Sequence, residues 1–231
     1  MSGLEDLRND VMHPSNSLIN AYDGVKRLSE RLEKIQKVTR RFESVLGVKR
    51  LYLEVYGSLL NSEQRKGYGD FKEVGKVKRI GWKLSFDRFS NTWKGAVLNF
   101  VQTKDDNDIF YTMVFEVDEK VFDCILEREM GRYADKWKLD KPIPDMVYRP
   151  VEMNSPFGKT KMFVIPDEGR KLTPTTKSAT YVEIVRLGIE ESFEDKMKET
   201  NLKALDIAIN ESNQRVSCQK TTYNSRLLKF R

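Results

Sequence analysis

The sequence predicts an α+β fold: a small, mixed, mainly antiparallel β-sheet or β-barrel with flanking helices, preceded by an N-terminal amphipathic helix. The middle of the chain, residues 48–166, is rich in short apolar runs of Val, Ile, Tyr, Phe and Trp, divided by Gly, Asn and Asp. Apolar residues at helical spacing precede and follow these runs. With 231 residues, 39% of them hydrophobic, the chain is long enough for one main core with appended segments.

The first predicted element is an amphipathic helix over residues 22–46. Its apolar residues recur mostly every three or four positions, and Gly47 follows, where helices commonly end. We favour packing of this stripe on the parent domain, because about three heptads is the lower limit for an independent coiled coil. The alternative is a homodimer formed through the helix. The stripe comprises Val25, Leu28, Leu32, Ile35, Phe42 and Leu46.

Six runs with strand character follow the helix. They either alternate in polarity or are continuously apolar, and turn-forming residues bound them. They are therefore predicted to be the strands of the sheet. The runs are residues 48–57, 75–89, 95–101, 109–117, 146–153 and 160–166.

The remaining segments predict helices and connections. A short helix is expected to begin at Asp118 and to end near Gly131, because apolar residues lie on one side of it. Residues 132–144 are polar and contain two prolines, which favours a loop or insertion. Residues 170–179 are a Thr-rich connector, and residues 181–210 have helical periodicity.

Charge and cysteine content place limits on the partners and the compartment. The formal net charge is +6, but basic and acidic residues are mostly interleaved, which is typical of a solvated surface. The exception is Arg215–Arg231, which lacks Asp and Glu; a flexible basic tail is favoured there, and nucleic-acid binding is not expected. Cys124 and Cys218 are distant and form no CxxC motif, so reduced thiols are expected.

No segment has the features of a membrane span or a secretory signal. The first residues lack a basic stretch followed by an apolar one, and no run approaches the roughly 18 apolar residues that a spanning helix needs. We therefore expect a cytoplasmic protein without membrane contact.

Several kinds of catalytic site are disfavoured by the sequence. The only histidine is His13, which argues against a multi-histidine metal site and against histidine-activated nucleophiles. No GxGxxG follows a strand, no GxxxxGK[ST] occurs, and Ser58 lacks a GxSxG context. Carboxylate chemistry beside a turn with free backbone donors remains.

Two features could supply that chemistry. The predicted strand that ends "VYGSLL" places Gly57 and Ser58 where successive N–H groups could face an anion or a developing oxyanion. Glu127 and Glu129 lie two residues apart on the short helix, so only one of them is expected to face a pocket. Burial there would raise the pKa of a general base. The alternative to a catalytic site is that Gly57 and Ser58 form an ordinary turn and that both glutamates are solvated.

In order along the chain, four motifs resemble those of the gamma-glutamylcyclotransferase-like superfamily. The resemblance covers residues 48–208 and implies a mixed domain with a five- to six-stranded barrel, a few helices and a cavity at one end. The motifs are "VYGSLL" at 55–60, "VFEVDEKVFDCILEREMGRY" at 114–133, "VYRPVEM" at 147–153 and "YVEIVRLG" at 181–188.

The resemblance also implies an activity. Such an enzyme cyclises a γ-glutamyl group to 5-oxoproline, releases an amine or amino acid, and needs no metal or cofactor. Glu129 would be the acid/base, with Glu127 as the alternative because Met130 separates Glu129 from Gly131. The residues implied for substrate binding are Tyr56, Gly57, Ser58, Leu59, Tyr148 and Tyr181.

The ends of the chain lie outside the resemblance. We predict an N-terminal helical extension over residues 1–47, a gamma-glutamylcyclotransferase-like domain over 48–208 and a basic C-terminal tail over 209–231. These ends motivate an alternative function. The fold could be retained as a non-catalytic binding or regulatory module that holds an anionic partner through its basic ends.

Overall fold

The computed structural model describes residues 51–145, 147–166 and 176–228, with side chains to Ser217, and five residues of the N-terminal segment. Those five, Glu30, Arg31, Lys34, Ile35 and Val38, are helical. The rest of the predicted N-terminal helix, and with it the homodimer expected through that helix, lies outside the described residues. Both stay predictions. The residues described from Leu51 onward belong to one compact unit, Arg50–Arg231.

The larger sheet has five strands in the order β2-β5-β1-β7-β6. All neighbouring pairs are antiparallel except β1 and β7, which are parallel. A mainly antiparallel sheet was predicted, and the structure confirms it. The strands are β1 Leu51–Val55, β2 Lys72–Ile80, β5 Ile109–Val117, β6 Arg149–Ser155 and β7 Gly158–Val164.

The predicted barrel is wrong, because β3 (Trp82–Ser90) and β4 (Gly95–Gln102) pair with each other in a separate two-stranded sheet. The sequence analysis treated residues 75–89 as a single run. Gly81, with φ of +71°, turns the chain within it, a conformation that glycine adopts at no steric cost. The Gly81 N–H donates to the Asp108 carbonyl at 2.8 Å. Within the described residues β2 and β6 are therefore sheet edges, and neither sheet closes.

An aromatic cluster joins the two sheets. The ring of Phe100, on β4, stacks on Tyr56 at 5.0 Å and on Trp82 at 5.1 Å between ring centroids. Its edge-to-face contact with Phe110, on β5, has a centroid distance of 5.6 Å. Phe100 and Phe110 are fully buried, and burial of each such side chain contributes about 1.5–3 kcal/mol. The cluster therefore packs the β3–β4 hairpin against the end of β1.

A buried ion pair holds β1 in register. The Glu54 carboxylate accepts hydrogen bonds from Arg79 Nε at 2.7 Å and from Arg79 Nη2 at 2.5 Å. The hydroxyls of Thr112 and Thr160 also donate to it, each at 2.6 Å. Because these partners lie on β2, β5 and β7, every carboxylate oxygen is satisfied and β1 is tied to three other strands.

Helices cover the sheets and connect the strands. The predicted helix after Asp118 is confirmed: the Asp118 carboxylate accepts from Val121 N at 2.7 Å, and Gly131, at φ of +54°, follows the last helical residue. Two 3₁₀ turns comprise Ser58–Leu60 and Gly131–Tyr133. The helices are α1 Ser62–Arg65, α2 Glu119–Met130, α3 Ala134–Lys138, α4 Ala179–Ser192 and α5 Asp195–Leu228.

Two helical regions differ from the sequence prediction. Residues 132–144, predicted as a loop, contain α3. The helical pattern of residues 181–210 is divided at Phe193, which is 1% exposed, and α5 then continues to Leu228. Residues 215–228 are therefore helical, although a flexible tail was expected over Arg215–Arg231. The division into segments 1–47, 48–208 and 209–231 stays a prediction. No described helix combines the length and apolar character needed to cross a bilayer.

Candidate active site

The turn after β1 presents free backbone donors. Leu60 N donates to the Gly57 carbonyl at 2.9 Å, and Asn61 N donates to the Ser58 carbonyl at 3.1 Å. Within the described part of the chain, no hydrogen bond uses the N–H groups of Gly57, Ser58 and Leu59. The first N–H groups of a helical turn have no partner inside the turn, so they can bind an anion or an oxyanion.

Helix α4 holds this turn in place from behind. A Cβ on Gly188 would lie 2.5 Å from Asn61 N, so α4 approaches the turn as closely as glycine permits. The Glu191 carboxylate accepts from Asn61 Nδ2 at 3.1 Å and from Ser62 N at 2.8 Å. The Ser192 hydroxyl donates to the Leu60 carbonyl at 3.0 Å. These contacts fix the turn before any ligand binds.

A small inner pocket of about 50 Å³ lies beside the turn. All the site residues predicted from the sequence line it: Glu129 and the six residues expected to bind substrate. Its further lining residues come from β1, β4 and β7. The lining residues are Leu53, Glu54, Val55, Tyr56, Gly57, Ser58, Leu59, Leu98, Glu129, Tyr148, Phe163 and Tyr181.

Glu129 is the carboxylate of the second motif that faces this pocket. Its side chain is 20% exposed, and burial raises its pKa above the ordinary value, against the opposing effect of Arg128 and Arg88. Arg128 Nε lies 3.4 Å from Glu129 Oε1, and Arg88 Nη1 donates to the Glu129 carbonyl at 3.4 Å. Glu127 is exposed and does not line the inner pocket. The geometry therefore favours Glu129 over Glu127 as a general base.

Three tyrosine hydroxyls surround the carboxylate. Tyr56 donates to the Phe163 carbonyl at 2.8 Å, Tyr148 donates to the Leu98 carbonyl, and Tyr181 accepts from Leu98 N at 3.4 Å. Burial is the largest cause that raises the pKa of each tyrosine, and the negative charge of Glu129 adds to it. The hydroxyls therefore stay protonated and act as neutral dipoles, not as bases.

Gly57 permits one close approach within this group. A Cβ at position 57 would lie 3.3 Å from the Tyr181 hydroxyl oxygen, closer than most side-chain contacts. Glycine thus lets the Tyr181 hydroxyl lie directly against the turn. The Ser58 hydroxyl, next along the chain, accepts a hydrogen bond from Arg128 Nη2 at 2.7 Å.

A wider outer cleft of about 830 Å³ shares four lining residues with the inner pocket: Ser58, Glu129, Tyr148 and Tyr181. Its other walls come from the β3–β4 turn, from one side of α2 and from the segment 64–68. Residues that line only the outer cleft include Tyr68, Arg88, Trp93, Cys124 and Arg128. None of these was assigned to the site from the sequence.

The outer cleft is lined by aromatic rings and by two guanidinium groups, with the carboxylates of Glu127 and Glu129 beside them. The guanidinium carbon of Arg88 lies 4.9 Å from the centroid of the Tyr148 ring, and that of Arg128 lies 5.4 Å from the centroid of Tyr68. Arg128 could have been found in the sequence, because it directly precedes Glu129. Nothing in the sequence marked Arg88 as a site residue, since a basic residue on a strand commonly faces solvent.

Metal ligands are not grouped in the described chain. Among those residues no three His, Cys, Asp or Glu side chains come together in a way that could hold a metal ion. His13 lies outside them, and Cys124 is a free thiol.

Comparison with known proteins finds solved structures with a similar fold. No protein-family model and no curated protein matches the chain. A solved structure of the uncharacterized protein loc79017 from Homo sapiens is similar, with a TM-score of 0.50 and 17% identity over 67% of this chain and 87% of that chain. Another, titled gamma-glutamyl cyclotransferase, has a TM-score of 0.49 and 15% identity over 66% of this chain and 86% of that chain. The similarity to the first of these structures shows the fold alone, because the sequence identity is 17%.

Proposed function

We propose that the protein is an enzyme of the gamma-glutamylcyclotransferase type, which cyclises a γ-glutamyl group to 5-oxoproline and releases an amine or amino acid. The observation that carries the proposal is the position of Glu129. This carboxylate lines the same pocket as the turn that presents the N–H groups of Gly57, Ser58 and Leu59. A base and a set of oxyanion donors around one cavity suit intramolecular acyl transfer.

The reaction begins at the α-ammonium group of the substrate. Glu129 accepts one of its protons, and the freed amine nitrogen attacks the γ-carbonyl carbon to close a five-membered ring. The oxygen of the tetrahedral intermediate accepts hydrogen bonds from the backbone N–H groups of the turn. When the intermediate collapses, the bond to the leaving nitrogen breaks, and Glu129 returns the proton to that nitrogen. The ring nitrogen gives up its second proton to the released amine, so the products are a neutral lactam and an ammonium ion.

Much of the rate enhancement would come from holding the substrate folded. Nucleophile and electrophile belong to one molecule, so the protein needs to restrict the chain to the cyclising conformation. The inner pocket, at about 50 Å³, has room for only one polar end of a γ-glutamyl group. The outer cleft, at about 830 Å³, has room for the rest of the substrate and its leaving group.

The test is 5-oxoproline release from a panel of γ-glutamyl amines and dipeptides. We expect Glu129→Gln to lower kcat/KM by about 10²- to 10⁴-fold, because a positioned general base contributes that much. Glu127→Gln tests the alternative base, since Glu127 lies two residues away on the same helix and lines the outer cleft but not the inner pocket. Its kcat is expected to stay close to that of the unmutated protein, because Glu127 does not line the pocket that contains the turn.

Two results would contradict the proposal. The first is an absence of 5-oxoproline release from every member of the panel by folded, unmutated protein. The second is equal activity of the Glu129→Gln variant and the unmutated protein.

A further inference from the structure

Arg128 has hydrogen-bonding capacity that the protein does not use. A guanidinium carries five N–H donors. Arg128 Nη2 donates to the Ser58 hydroxyl at 2.7 Å, and its Nε lies 3.4 Å from Glu129 Oε1. Its Nη1 is buried and has no hydrogen-bond partner among the described residues. A buried charged donor without an acceptor is costly, so this nitrogen is suited to an acceptor that a ligand brings.

The surroundings of that nitrogen favour an anion. The Arg128 side chain is 16% exposed and lines the outer cleft, which Arg88 also lines. The lining also includes the carboxylates of Glu127 and Glu129, so the formal charges balance, and the preference for an anion rests on the buried Arg128 Nη1 that has no acceptor. The negative charge of Glu129 is already assigned to the ammonium group of the substrate.

The chemistry of arginine selects a carboxylate. The planar guanidinium fork matches the two oxygens of a carboxylate, whereas lysine offers a point charge without that geometry. A γ-glutamyl dipeptide has two carboxylates, one on the α-carbon of the glutamyl group and one on the leaving amino acid. Either one could reach the outer cleft, because the inner pocket holds only one end of the substrate.

We infer that Arg128 is a specificity-determining residue that binds a substrate carboxylate in the outer cleft. The inference rests on the proposed function for the identity of the substrate. It predicts that the enzyme prefers γ-glutamyl compounds that retain this carboxylate over analogues in which an amide replaces it. A structural role for Arg128, by contrast, would affect charged and neutral analogues equally.

Binding to the inactive Glu129→Gln variant tests the inference without requiring turnover. The probes are γ-glutamylglycine, its analogue with a C-terminal carboxamide, and its analogue with an α-carboxamide, each titrated by calorimetry. Adding Arg128→Met is expected to weaken γ-glutamylglycine binding by about 10- to 100-fold, the usual effect of a lost hydrogen bond to a charged group. The loss should disappear for the one analogue that lacks the carboxylate bound by Arg128, which also identifies that carboxylate.

Matched variants distinguish the loss of the Arg128 charge from a loss of folded protein. Arg132→Met removes the same charge from an exposed residue that lines neither cavity, and should leave all three affinities unchanged. Arg128→Lys keeps the charge and should recover part of the affinity for γ-glutamylglycine. Circular dichroism and a thermal melt establish that each variant is folded.

The outcomes distinguish this inference from the proposed function. Losses that are equal for all three probes, or no loss for any of them, would overturn the role of Arg128. If Glu129→Gln binds none of the probes, the inference is also overturned. Binding that depends on Arg128 in a protein that releases no 5-oxoproline would overturn the proposed function and leave the carboxylate site in place.

Discussion

At the scale of single residues, the surroundings of Glu129 determine the pKa of its carboxyl group. Its side chain is only 20% exposed, and burial raises its pKa, while Arg128 and Arg88 lower it in part. An ordinary solvated glutamate has a pKa of about 4.3 and is a weak base at neutral pH. The raised value brings Glu129 closer to the pKa that a general base needs.

The pH dependence of kcat/KM should reflect this shift. Glu129 must be ionised to accept a proton, so activity falls as pH decreases through its raised pKa, and the acid limb lies above about 4.3. Arg88→Met removes one of the two charges that lower the pKa, so its acid limb should move to higher pH. Arg132→Met, which removes an exposed charge, serves as the control for net charge. An acid limb that stays in place in Arg88→Met would contradict this account.

At the scale of secondary-structure elements, the site depends on the contact between α4 and the turn that contains Ser58. Gly188 lies where the helix meets the turn, and Glu191 and Ser192 add hydrogen bonds to the residues around it. The free N–H groups of the turn therefore keep their direction only while α4 stays at its present distance.

A methyl group at position 188 should disturb both stability and activity. In Gly188→Ala, the new Cβ would lie 2.5 Å from Asn61 N and 2.9 Å from the Leu60 carbonyl carbon, so α4 and the turn must separate. We expect a loss of about 1–3 kcal/mol in the free energy of unfolding, which is typical of overpacking. Urea denaturation measures this loss, and kcat/KM should decrease with it.

Gly67→Ala is the control for stability at a glycine without close neighbours. No heavy atom outside the adjacent residues lies within 4 Å of a Cβ built there, so its free energy of unfolding should change by less than about 1 kcal/mol. Similar losses in the two variants would argue against a close α4–turn contact as the cause.

At the scale of the whole molecule, α5 is bound to both sheets. Asn201, fully buried on α5, accepts from Tyr111 N at 2.8 Å and donates to the Tyr111 carbonyl at 2.9 Å on β5. Lys83 Nζ, on β3, lies 3.0 Å from Glu211 Oε1 on the same helix. The helix thus packs across the five-stranded sheet and the hairpin that forms a wall of the outer cleft.

Replacing Asn201 should destabilise the fold as a unit. Asn201→Leu leaves the Tyr111 N–H and carbonyl without their side-chain partner, and each unsatisfied buried group costs about 1–3 kcal/mol. The exposed Asn210 lies on the same helix, and Asn210→Leu should change stability by no more than about 0.5 kcal/mol. Thermal and urea unfolding of the two variants provide the comparison. Equal stabilities would show that the Asn201 contacts do not hold α5 on the sheet.

Local sequence patterns predicted the local structure well wherever neighbouring residues decide the conformation. The helix α2 has an N-terminal cap in Asp118 and a C-terminal stop in Gly131, and both signals lie within the segment itself. The turn at Gly57 and the strands around it could likewise be read from nearby residues. The helix α3 was missed because the prolines after it favoured a loop over the whole segment.

Side-chain type and short-range spacing predicted the α+β class and most of the strands, whereas the expected site residues, which line the inner pocket, came from the family resemblance. The tertiary structure was needed to show that the sheets of the described residues stay open, that Glu129 and not Glu127 lines the inner pocket, and that Arg88 and Arg128 line the outer cleft. Strand pairing and the burial of a charge depend on contacts between residues far apart in the chain, such as the 2.7 Å bond from Arg128 to Ser58. Such contacts form only when the chain folds, so they cannot be predicted from local periodicity.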